Sequence, residues 1–379
     1  MARIVIFLIA VALVAGTAGY GTVYANRESY TLTIGSTAGG SVAAPGEGPF
    51  TYYEGTMVSL VAEIELGHRF INWTGDVATI ANVNDAATTI TIDGHKSITA
   101  NFEEVNIMVA ADFYQTVGLR ADGTVVAAGL EQLYNHGTYG QGDVGNWTDI
   151  TQVTAGYTHT VGLKSDGTVV AVGGNSKGQC SVGNWTDIMG VAAGSRHTAG
   201  LRFDGTVVAT GDNTKGQCDV GAWTDIIQVT AGDYYTVGLR SDGTVVAIGD
   251  NSYGQCNVGD WTDIVQVAAG MWHTVGLKSD GAVVAVGYND VGQCNVGRWT
   301  DIIQVSAGGR HTVGLESGGT AVAVGSDWAG QVNVGDWSNI IWVAAGNSHT
   351  AGVKSDGTVV AVGWNDFMQC MVDRWRLIS

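Results

Sequence analysis

The chain has 379 residues and a formal net charge of −18, with 45% hydrophobic and 14% charged residues. This composition is typical of a folded chain, and 57 glycines with only 2 prolines exclude collagen and proline-rich linkers while indicating many tight turns. Residues 27–104 carry −7 and residues 105–379 carry −12, so both parts repel phosphate backbones, which argues against nucleic acid and anionic membrane surfaces as partners.

The N-terminus has the features of an export signal. Arg3 precedes an unbroken apolar run from Ile4 to Ala15, which is too short to span a bilayer comfortably. The small residues Val23 and Ala25 stand at the −3 and −1 positions of a cleavage site before Asn26. We therefore predict a signal peptide at residues 1–26 and a secreted or cell-surface protein. The alternatives are an uncleaved anchor, which would be the protein's one membrane attachment, or a buried core strand.

Residues 27–104 alternate β-branched stretches with glycine-rich turns, as in YTLTIGSTAGGSV (30–42) and TTITIDGHKSITANFEE (88–104). This pattern predicts a small, mostly β domain. With its GGSV, PGEG, EGT and SITANF pieces, the segment resembles the divergent internalin-B-type repeat of bacterial surface proteins. The resemblance implies a spacer or adhesion module outside the cell. Phe70 and Trp73 are interpreted as core residues, with ligand stacking as the alternative.

Seven copies of one repeat occupy residues 105–379. They share the pattern V-x-A-G-x-x-H-T-V-G-L-x-S-D-G-T-V-V-A-V-G-x-N-x-x-G-Q-C-x-V-G-x-W-T-D-I-x-Q. The middle five copies have 38 residues each, and the first has 44 because of the segment LEQLYNHGTYG (130–140). The copies begin at Val109, Val153, Val191, Val229, Val267, Val305 and Val343. Periodicity of this kind indicates a repeat architecture.

A histidine, a lysine and an aspartate stand close together at His159, Lys164 and Asp166, but this cluster recurs. The histidine position holds, in the other copies, Gln115, His197, Tyr235, His273, His311 and His349. An active site needs one constellation, so we assign the recurring residues to packing and predict no catalytic residue, cofactor or metal. The unrepeated carboxylates Glu131 and Glu316 give no spacing signal for a glycosidase pair.

Each copy is predicted to form a meander of three strands. The Asp-Gly pair marks a hairpin turn, since glycine accepts a positive φ. The segment TVVAV (168–172) lacks alternation, as expected of a strand covered on both faces. Sheets covered on both faces need a neighbour on each side, which a ring of seven provides. The predicted fold is therefore all-β, a seven-bladed β-propeller behind a small N-terminal domain. A β-solenoid, the alternative, has shorter rungs and needs caps.

The last copy stops before the strand that would lead into another copy. We therefore expect residues 107–109 to pair with the last blade and close the ring. The five cysteines share one repeat position and are interpreted as buried thiols, without disulfides or zinc. They are Cys180, Cys218, Cys256, Cys294 and Cys370. The repeated Gly-x-Trp tryptophans are expected to plug the gaps between blades, with a carbohydrate-stacking ring as the alternative.

The segment HTVGLKSDGTVVAVGGNSKGQ (159–179) carries a family resemblance. It resembles the repeat of the regulator-of-chromosome-condensation family, although the aromatic residue usual before the glycine is Val172 here. The short copies and the export signal are closer to the bacterial members, one of which is a secreted inhibitor of β-lactamase. The resemblance implies a propeller that binds proteins.

Function is expected where the copies differ, in the loop after Ala-Gly and the loop before Gly-Gln. In a three-strand meander both loops lie at one rim, opposite the Ser-Asp-Gly turns. Their Tyr, Trp, Met and Arg content is that of binding hot spots. We predict a non-enzymatic protein-binding surface; the alternatives are inhibition of a secreted hydrolase, polysaccharide binding or cleavage, and a structural spacer. The candidate residues are Phe113, Tyr114, Tyr134, Tyr139, Tyr157, Arg196, Tyr234, Tyr253, Met271, Trp272, Tyr288, Arg310, Trp328, Trp364 and Phe367.

Overall fold

The computed structural model describes residues 28–64, 68–104, 106–129 and 139–378. All regular secondary structure in these ranges consists of β-strands. The predicted signal peptide lies outside the described residues. Within those ranges no helix is long and apolar enough to cross a membrane. The described chain divides into two compact units, one that contains residues 28–64 and Phe70–Glu103 and one that contains residues 106–129 and 139–378.

The first unit contains a mixed sheet of four strands and an antiparallel sheet of three strands. Alternate residues of its strands point inward, so that Leu32 and Leu60 are fully buried. Trp73 is also buried, and its indole nitrogen donates to the carbonyl of Asp85. Phe70 packs against this core, which confirms the core role predicted for both aromatic residues. The strands are β1 (Ser29–Ser36), β2 (Gly40–Ala44), β3 (Gly48–Tyr53), β4 (Met57–Ile64), β5 (His68–Gly75), β6 (Ala87–Thr91) and β7 (Lys96–Glu104). The four-stranded sheet has the order β3-β1-β7-β5, and the three-stranded sheet has the order β2-β4-β6.

The second unit is a succession of three-stranded antiparallel sheets, one for each copy of the repeat. The first sheet comprises β8 (Met108–Asp112), β9 (Gln115–Leu119) and β10 (Val125–Gly129). The other sheets are β11–β13 (Ile150–Ala155, His159–Lys164, Val169–Gly173), β14–β16 (Ile188–Ala193, His197–Arg202, Val207–Gly211), β17–β19 (Ile226–Ala231, Tyr235–Arg240, Val245–Gly249), β20–β22 (Ile264–Ala269, His273–Lys278, Val283–Gly287), β23–β25 (Ile302–Ala307, His311–Glu316, Ala321–Gly325) and β26–β28 (Ile340–Ala345, His349–Lys354, Val359–Gly363).

The middle strand of each sheet is the buried one. In the second sheet, His159 to Leu163 are all buried, whereas only Val169 of β13 is. The prediction that TVVAV is covered on both faces is therefore only partly right. Val170 and Val172 do pack against the preceding sheet and Ala171 against the following one, but β13 is the outer edge strand and stays half-exposed.

The Asp-Gly pairs form the predicted turns. Gly167 has a φ of 78°, a conformation that glycine adopts without steric cost. The carboxylate of Asp166 accepts hydrogen bonds from the backbone nitrogen and the hydroxyl of Thr168, which secures the start of β13. The same arrangement occurs at Asp122, Asp204 and Asp242. This recurring aspartate therefore stabilises a turn, as its repetition indicated.

Hydrogen bonds between recurring side chains join each sheet to the next. The Nε2 atom of His159 lies 2.9 Å from the hydroxyl of Thr198, which in turn donates to the carbonyl of Gln179. The Thr198 hydroxyl has one hydrogen, which it donates to Gln179, so it must accept a hydrogen bond from the Nε2–H of His159. The neutral imidazole therefore carries its hydrogen on Nε2, and Nδ1 is unprotonated. An equivalent contact joins every other pair of neighbouring sheets, with Gln115 and Tyr235 in place of histidine in two of them. The pairs are Gln115 with Thr160, His197 with Thr236, Tyr235 with Thr274, His273 with Thr312, His311 with Thr350 and His349 with Thr116.

The contact between His349 and Thr116 joins the last sheet to the first. Trp375 also packs on Gly118 of β9 as Trp147 packs on Gly162. The predicted mode of strand pairing is nevertheless wrong, because residues 108–112 form β8 and pair with β9 of their own sheet. Side chains instead connect the two sheets: the indole nitrogen of Trp342 donates to the carbonyl of Val109.

The tryptophans lie where the repeat argument placed them, between one sheet and the next. A Cβ atom on Gly200 would approach within 2.7 Å of the ring of Trp185, so the absence of a side chain there makes room for the indole. The cysteines differ from the prediction of buried thiols. All five are unpaired and half-buried, and the Sγ of Cys180 donates to the carbonyl of Gly174. Burial raises the pKa of the Cys180 thiol to about 11.

Candidate functional site

The two variable loops meet at one end of every sheet, as the meander predicted. The backbone nitrogen of Tyr288, in the loop before Gly-Gln, donates to the carbonyl of Trp272, in the loop after Ala-Gly. Trp364 makes the same bond to Ser348. We call this end the variable rim. It consists of the residues between the first and second strands of each sheet, together with the residues between each third strand and the Gly-Gln pair that follows it, which is Met368-Gln369 in the last copy. The Ser-Asp-Gly turns lie at the opposite end of the sheets.

Every candidate residue that the structure describes is at least partly exposed. Trp328 is 66% exposed, Tyr139 61% and Tyr253 49%, values high for aromatic side chains. Tyr134 lies in segment 130–138, outside the described residues. The rim therefore presents a set of accessible rings and not merely the covered edges of sheets.

Five of these rings form a first aromatic cluster, defined as Phe113, Tyr114, Tyr157, Trp364 and Phe367. The rings come from the first, second and last copies. Phe113 and Tyr157 meet edge to face with centroids 4.6 Å apart, and Tyr114 and Phe367 do so at 4.7 Å. The hydroxyl oxygens of Tyr114 and Tyr157 are 3.5 Å apart, and burial chiefly raises the pKa of Tyr114 to about 12. Trp328 extends the cluster through its contact with Trp364.

Three further rings, Tyr253, Trp272 and Tyr288, form a second aromatic cluster in the fourth and fifth copies. This cluster holds a cation of its own chain. The guanidinium carbon of Arg310 lies 5.4 Å from the ring centroids of both Trp272 and Tyr288. Asp290 accepts a hydrogen bond from the Tyr288 hydroxyl and lies 3.9 Å from the Arg310 guanidinium. The hydrogen bond to Asp290 is the main cause that raises the pKa of Tyr288.

Four of the predicted residues that the structure describes join neither cluster, and one of them is the exposed Tyr139. Arg196 and Tyr234 lie on the rim in the third and fourth copies, and Met271 lines a central cavity. That cavity, about 250 Å³ in volume, is lined by the first strands of the sheets and by the residues that follow them. Its wall is stabilised by side chains that bond to the next first strand, as where Gln152 contacts the backbone of Val191.

Sequence reasoning missed two carboxylates in this cavity, Asp112 and Asp233. Burial raises the pKa of the Asp112 carboxyl to about 8, and burial likewise raises that of Asp233. A signal for Asp112 was present, because each other copy has glycine at this position. Glu131, one of the two carboxylates considered instead, lies outside the described residues, and Glu316 ends β24 beside the turn, at the opposite end from the rim.

The recurring histidines do not form a catalytic site. All five are fully buried between sheets, and burial lowers the pKa of His159 to about 3 and that of His197 to about 4. A neutral imidazole without access to solvent cannot exchange protons with a substrate. Within the described ranges, no group of three His, Cys, Asp or Glu side chains could hold a metal ion.

Family models identify both kinds of sequence in the chain. Residues 30–106 match the divergent InlB B-repeat domain. Five segments match the regulator of chromosome condensation (RCC1) repeat: residues 150–179, 190–217, 226–255, 264–293 and 340–369. No curated protein sequence matches the chain.

The fold is that of known RCC1-type propellers. The ectodomain of the receptor kinase CR4 from Physcomitrella patens has a TM-score of 0.54 at 18% identity, over 68% of this chain and 73% of that chain. The ectodomain of ACR4 from Arabidopsis thaliana has 0.53 at 21%, over 68% and 95%. Prp20p of Saccharomyces cerevisiae, described with binding properties to Gsp1p and histones, has 0.50 at 18%, over 68% and 82%. At such identities the likeness shows the fold alone.

Proposed function

Since this chain carries RCC1 repeats behind a divergent InlB B-repeat domain, we propose that it is an exported, non-enzymatic protein that binds a protein partner through its variable rim. The single observation that supports this most is the grouping of accessible aromatic rings at one end of the sheets, in two clusters. Clustered aromatic and arginine side chains are the residues that contribute most of the free energy of association in protein interfaces.

The contrast between the two ends of the sheets supports a binding surface at the rim. Positions that recur are engaged in turns, in hydrogen bonds between sheets or in packing, whereas the rim positions differ from copy to copy and remain accessible. Such variation is compatible with the fold because no repeated packing depends on these side chains. In Prp20, a yeast RCC1 structurally similar to this chain at 18% identity and a TM-score of 0.51, a solved complex contains the partner Kap60.

We also propose that the sheets close into a ring of seven blades. The contacts of His349 with Thr116 and of Trp375 with Gly118 repeat, between the last and first sheets, those made between consecutive sheets. A closed ring would hold the first and last copies side by side and so keep the first aromatic cluster assembled. Export, the remaining part of the proposal, is supported by the N-terminal sequence.

The proposal is tested by affinity capture from the medium in which the protein's own cells grow. The full chain is the bait, and Met271, Trp272 and Trp328 are together replaced by alanine in the test variant. We expect one protein to be captured by the unaltered chain and lost with the variant, at an unchanged melting temperature. A control variant alters the opposite end, with Ser165→Ala and Ser241→Ala at two Ser-Asp-Gly turns, and is expected to retain the partner.

Two results would contradict the proposal. A partner lost with the control variant but kept with the rim variant would place binding at the turns. A captured polysaccharide, with no protein dependent on the rim, would favour the carbohydrate alternative. If the captured partner is a secreted hydrolase, its activity with and without the chain decides whether binding also inhibits it.

A further inference from the structure

The Asp-Gly turn of the fifth copy differs from the Asp-Gly turns of the other copies. Copies one to four and copy seven read Asp-Gly-Thr, whereas the fifth copy reads Asp-Gly-Ala, with Ala282 at the threonine position. The backbone nitrogen of Ala282 donates to the carboxylate of Asp280 at 3.0 Å. Ala282 has no hydroxyl for the second hydrogen bond, which Thr168 makes to Asp166 at 2.6 Å. Its turn therefore offers the carboxylate one hydrogen bond where the second copy offers two.

The threonine hydroxyl affects both the charge and the orientation of the aspartate. The hydrogen bond from Thr168 is the main cause that lowers the pKa of the Asp166 carboxyl, and Thr124, Thr206 and Thr244 act in the same way in their own turns. A hydrogen bond to a carboxylate favours its ionised form, and two bonds from one residue also fix its direction. The side chain of an alanine provides neither effect.

An aspartate that precedes glycine can react with its own main chain. The backbone nitrogen of the glycine forms a bond to Cγ of the aspartate, and one carboxyl oxygen leaves as water, which gives a five-membered succinimide. The oxygen leaves more readily from the neutral carboxyl than from the carboxylate, and glycine has no side chain to hinder the approach. Water then opens the ring at the other carbonyl to give isoaspartate, so that the main chain contains one additional methylene. The water released in the first step is taken up in the second, and no oxidant or cofactor is needed.

The attacking nitrogen is in the same state in the fourth and fifth copies. The nitrogens of Gly243 and Gly281 each donate, at 3.0 Å, to the carbonyl of the residue three positions earlier. The φ angles of these glycines are 80° and 83°. Asp242 and Asp280 are both exposed, so solvent reaches both turns. The two turns therefore differ in how the carboxyl group is held and not in the nucleophile.

We propose that Asp280, followed by Gly281, is a modification site: of the Asp-Gly turns in the second unit, it is the one at which the folded chain converts fastest to isoaspartate. This inference is independent of the proposed function, since the turn lies at the opposite end of its sheet from the variable rim. A further Asp-Gly pair begins at Asp93 in the first unit, where the ammonium of Lys96 lies 2.6 Å from the carboxylate.

The test follows isoaspartate in the full chain during several weeks at pH 7 and 37 °C. Trypsin cleaves after Arg240 and after Lys278, so each of the two turns lies at the start of its own peptide. Chromatography separates the isoaspartyl peptides, and electron-transfer fragmentation identifies them. We expect isoaspartate to accumulate about three- to tenfold faster at Asp280 than at Asp242, the effect of one exposed hydrogen bond to a charged group. Equal accumulation at the two sites would overturn the inference.

The other copies supply matched variants that the turn already accepts. Ala282→Thr introduces the threonine of the other copies and should lower the rate at Asp280 to that at Asp242. Thr244→Ala should conversely raise the rate at Asp242 to that at Asp280. Unchanged rates in these variants would contradict the role of the hydroxyl. In the chain unfolded by guanidinium chloride the two sites should react equally, and a preference for Asp280 that persisted there would assign it to the local sequence and overturn the inference.

Discussion

The layer between neighbouring sheets and the variable rim lie only two residues apart in the second copy, where buried His159 follows accessible Tyr157. In the layer, each copy repeats one hydrogen-bonded arrangement, because every side chain there must satisfy both its own sheet and the next. At the rim, rings from different copies form two unlike clusters, only one of which contains a cation. The comparison teaches that, between these two regions, residues that pack between sheets recur from copy to copy, whereas the accessible residues of the rim vary.

The largest predicted effect is a loss of stability in acid, caused by the histidines buried in the layer between sheets. Burial lowers the pKa of the layer histidines, to about 3 for His159 and His311 and about 4 for His197, His273 and His349. The unfolded chain therefore binds more protons below pH 6.5, and the free energy of unfolding falls as pH falls, by about 2 kcal/mol for each histidine at pH 5. Denaturant titrations at pH 7.5, 6.5 and 5.5 should show a steep loss of stability.

A single substitution provides the control for this acid effect. His273→Tyr introduces the residue of Tyr235 and should remove about one fifth of the histidine contribution to the pH dependence. Asp112 acts in the opposite sense: its raised pKa, about 8, stabilises the fold at low pH and ceases to do so as pH rises through 8. The pKa of Asp233 is also raised by burial, so Asp233 acts in the same sense, but two such groups do not offset five histidines. A stability that stays constant between pH 7.5 and 5.5 would contradict the neutral, buried layer.

The second effect concerns the threonine of the layer. Thr198→Val keeps the shape of the side chain but leaves the Nε2–H of His159 and the carbonyl of Gln179 without partners. We expect a loss of about 2–4 kcal/mol in the free energy of unfolding, since both groups are buried. Thr198→Ser, which keeps the hydroxyl, should lose much less. Equal losses for the two variants would mean that the hydroxyl is unimportant.

The third prediction tests ring closure. A Cβ on Gly118 would lie 2.9 Å from the Trp375 ring, much as one on Gly200 would lie 2.7 Å from Trp185. If the first and last sheets are neighbours in solution, Gly118→Ala and Gly200→Ala should both reduce the free energy of unfolding by about 1–3 kcal/mol. Gly183→Ala, where a Cβ meets nothing within 4 Å, is the neutral control. If Gly118→Ala left the free energy of unfolding unchanged, the result would argue against closure of the ring.

The smallest effect on stability is expected at the rim. Trp328→Ser, which introduces the residue of Ser252, removes a side chain that is 66% exposed. The free energy of unfolding should change by less than about 0.5 kcal/mol, as for most surface substitutions. Thermal unfolding checks this value. A loss of several kcal/mol would make the exposed rings part of the scaffold and remove the distinction between layer and rim.

The sequence by itself determined the strands, the turns and the division between repeated scaffold and variable rim. It could do so because every copy meets the same packing requirement, so that a position kept in all copies, such as the glycine of each Asp-Gly turn, reports its own structural role. The half-exposure of TVVAV was missed because the composition of a strand does not tell an edge from a centre.

Only the tertiary structure decided which rim residues come together. Tyr114 and Trp364 are distant in sequence yet have ring centroids 6.0 Å apart, and Asp112 and Asp233 line one cavity from different sheets. These groupings depend on which sheets become neighbours and on how far each first strand lies from the others. The physical reason is that periodicity describes one copy at a time, whereas a binding surface is formed by the differences between copies.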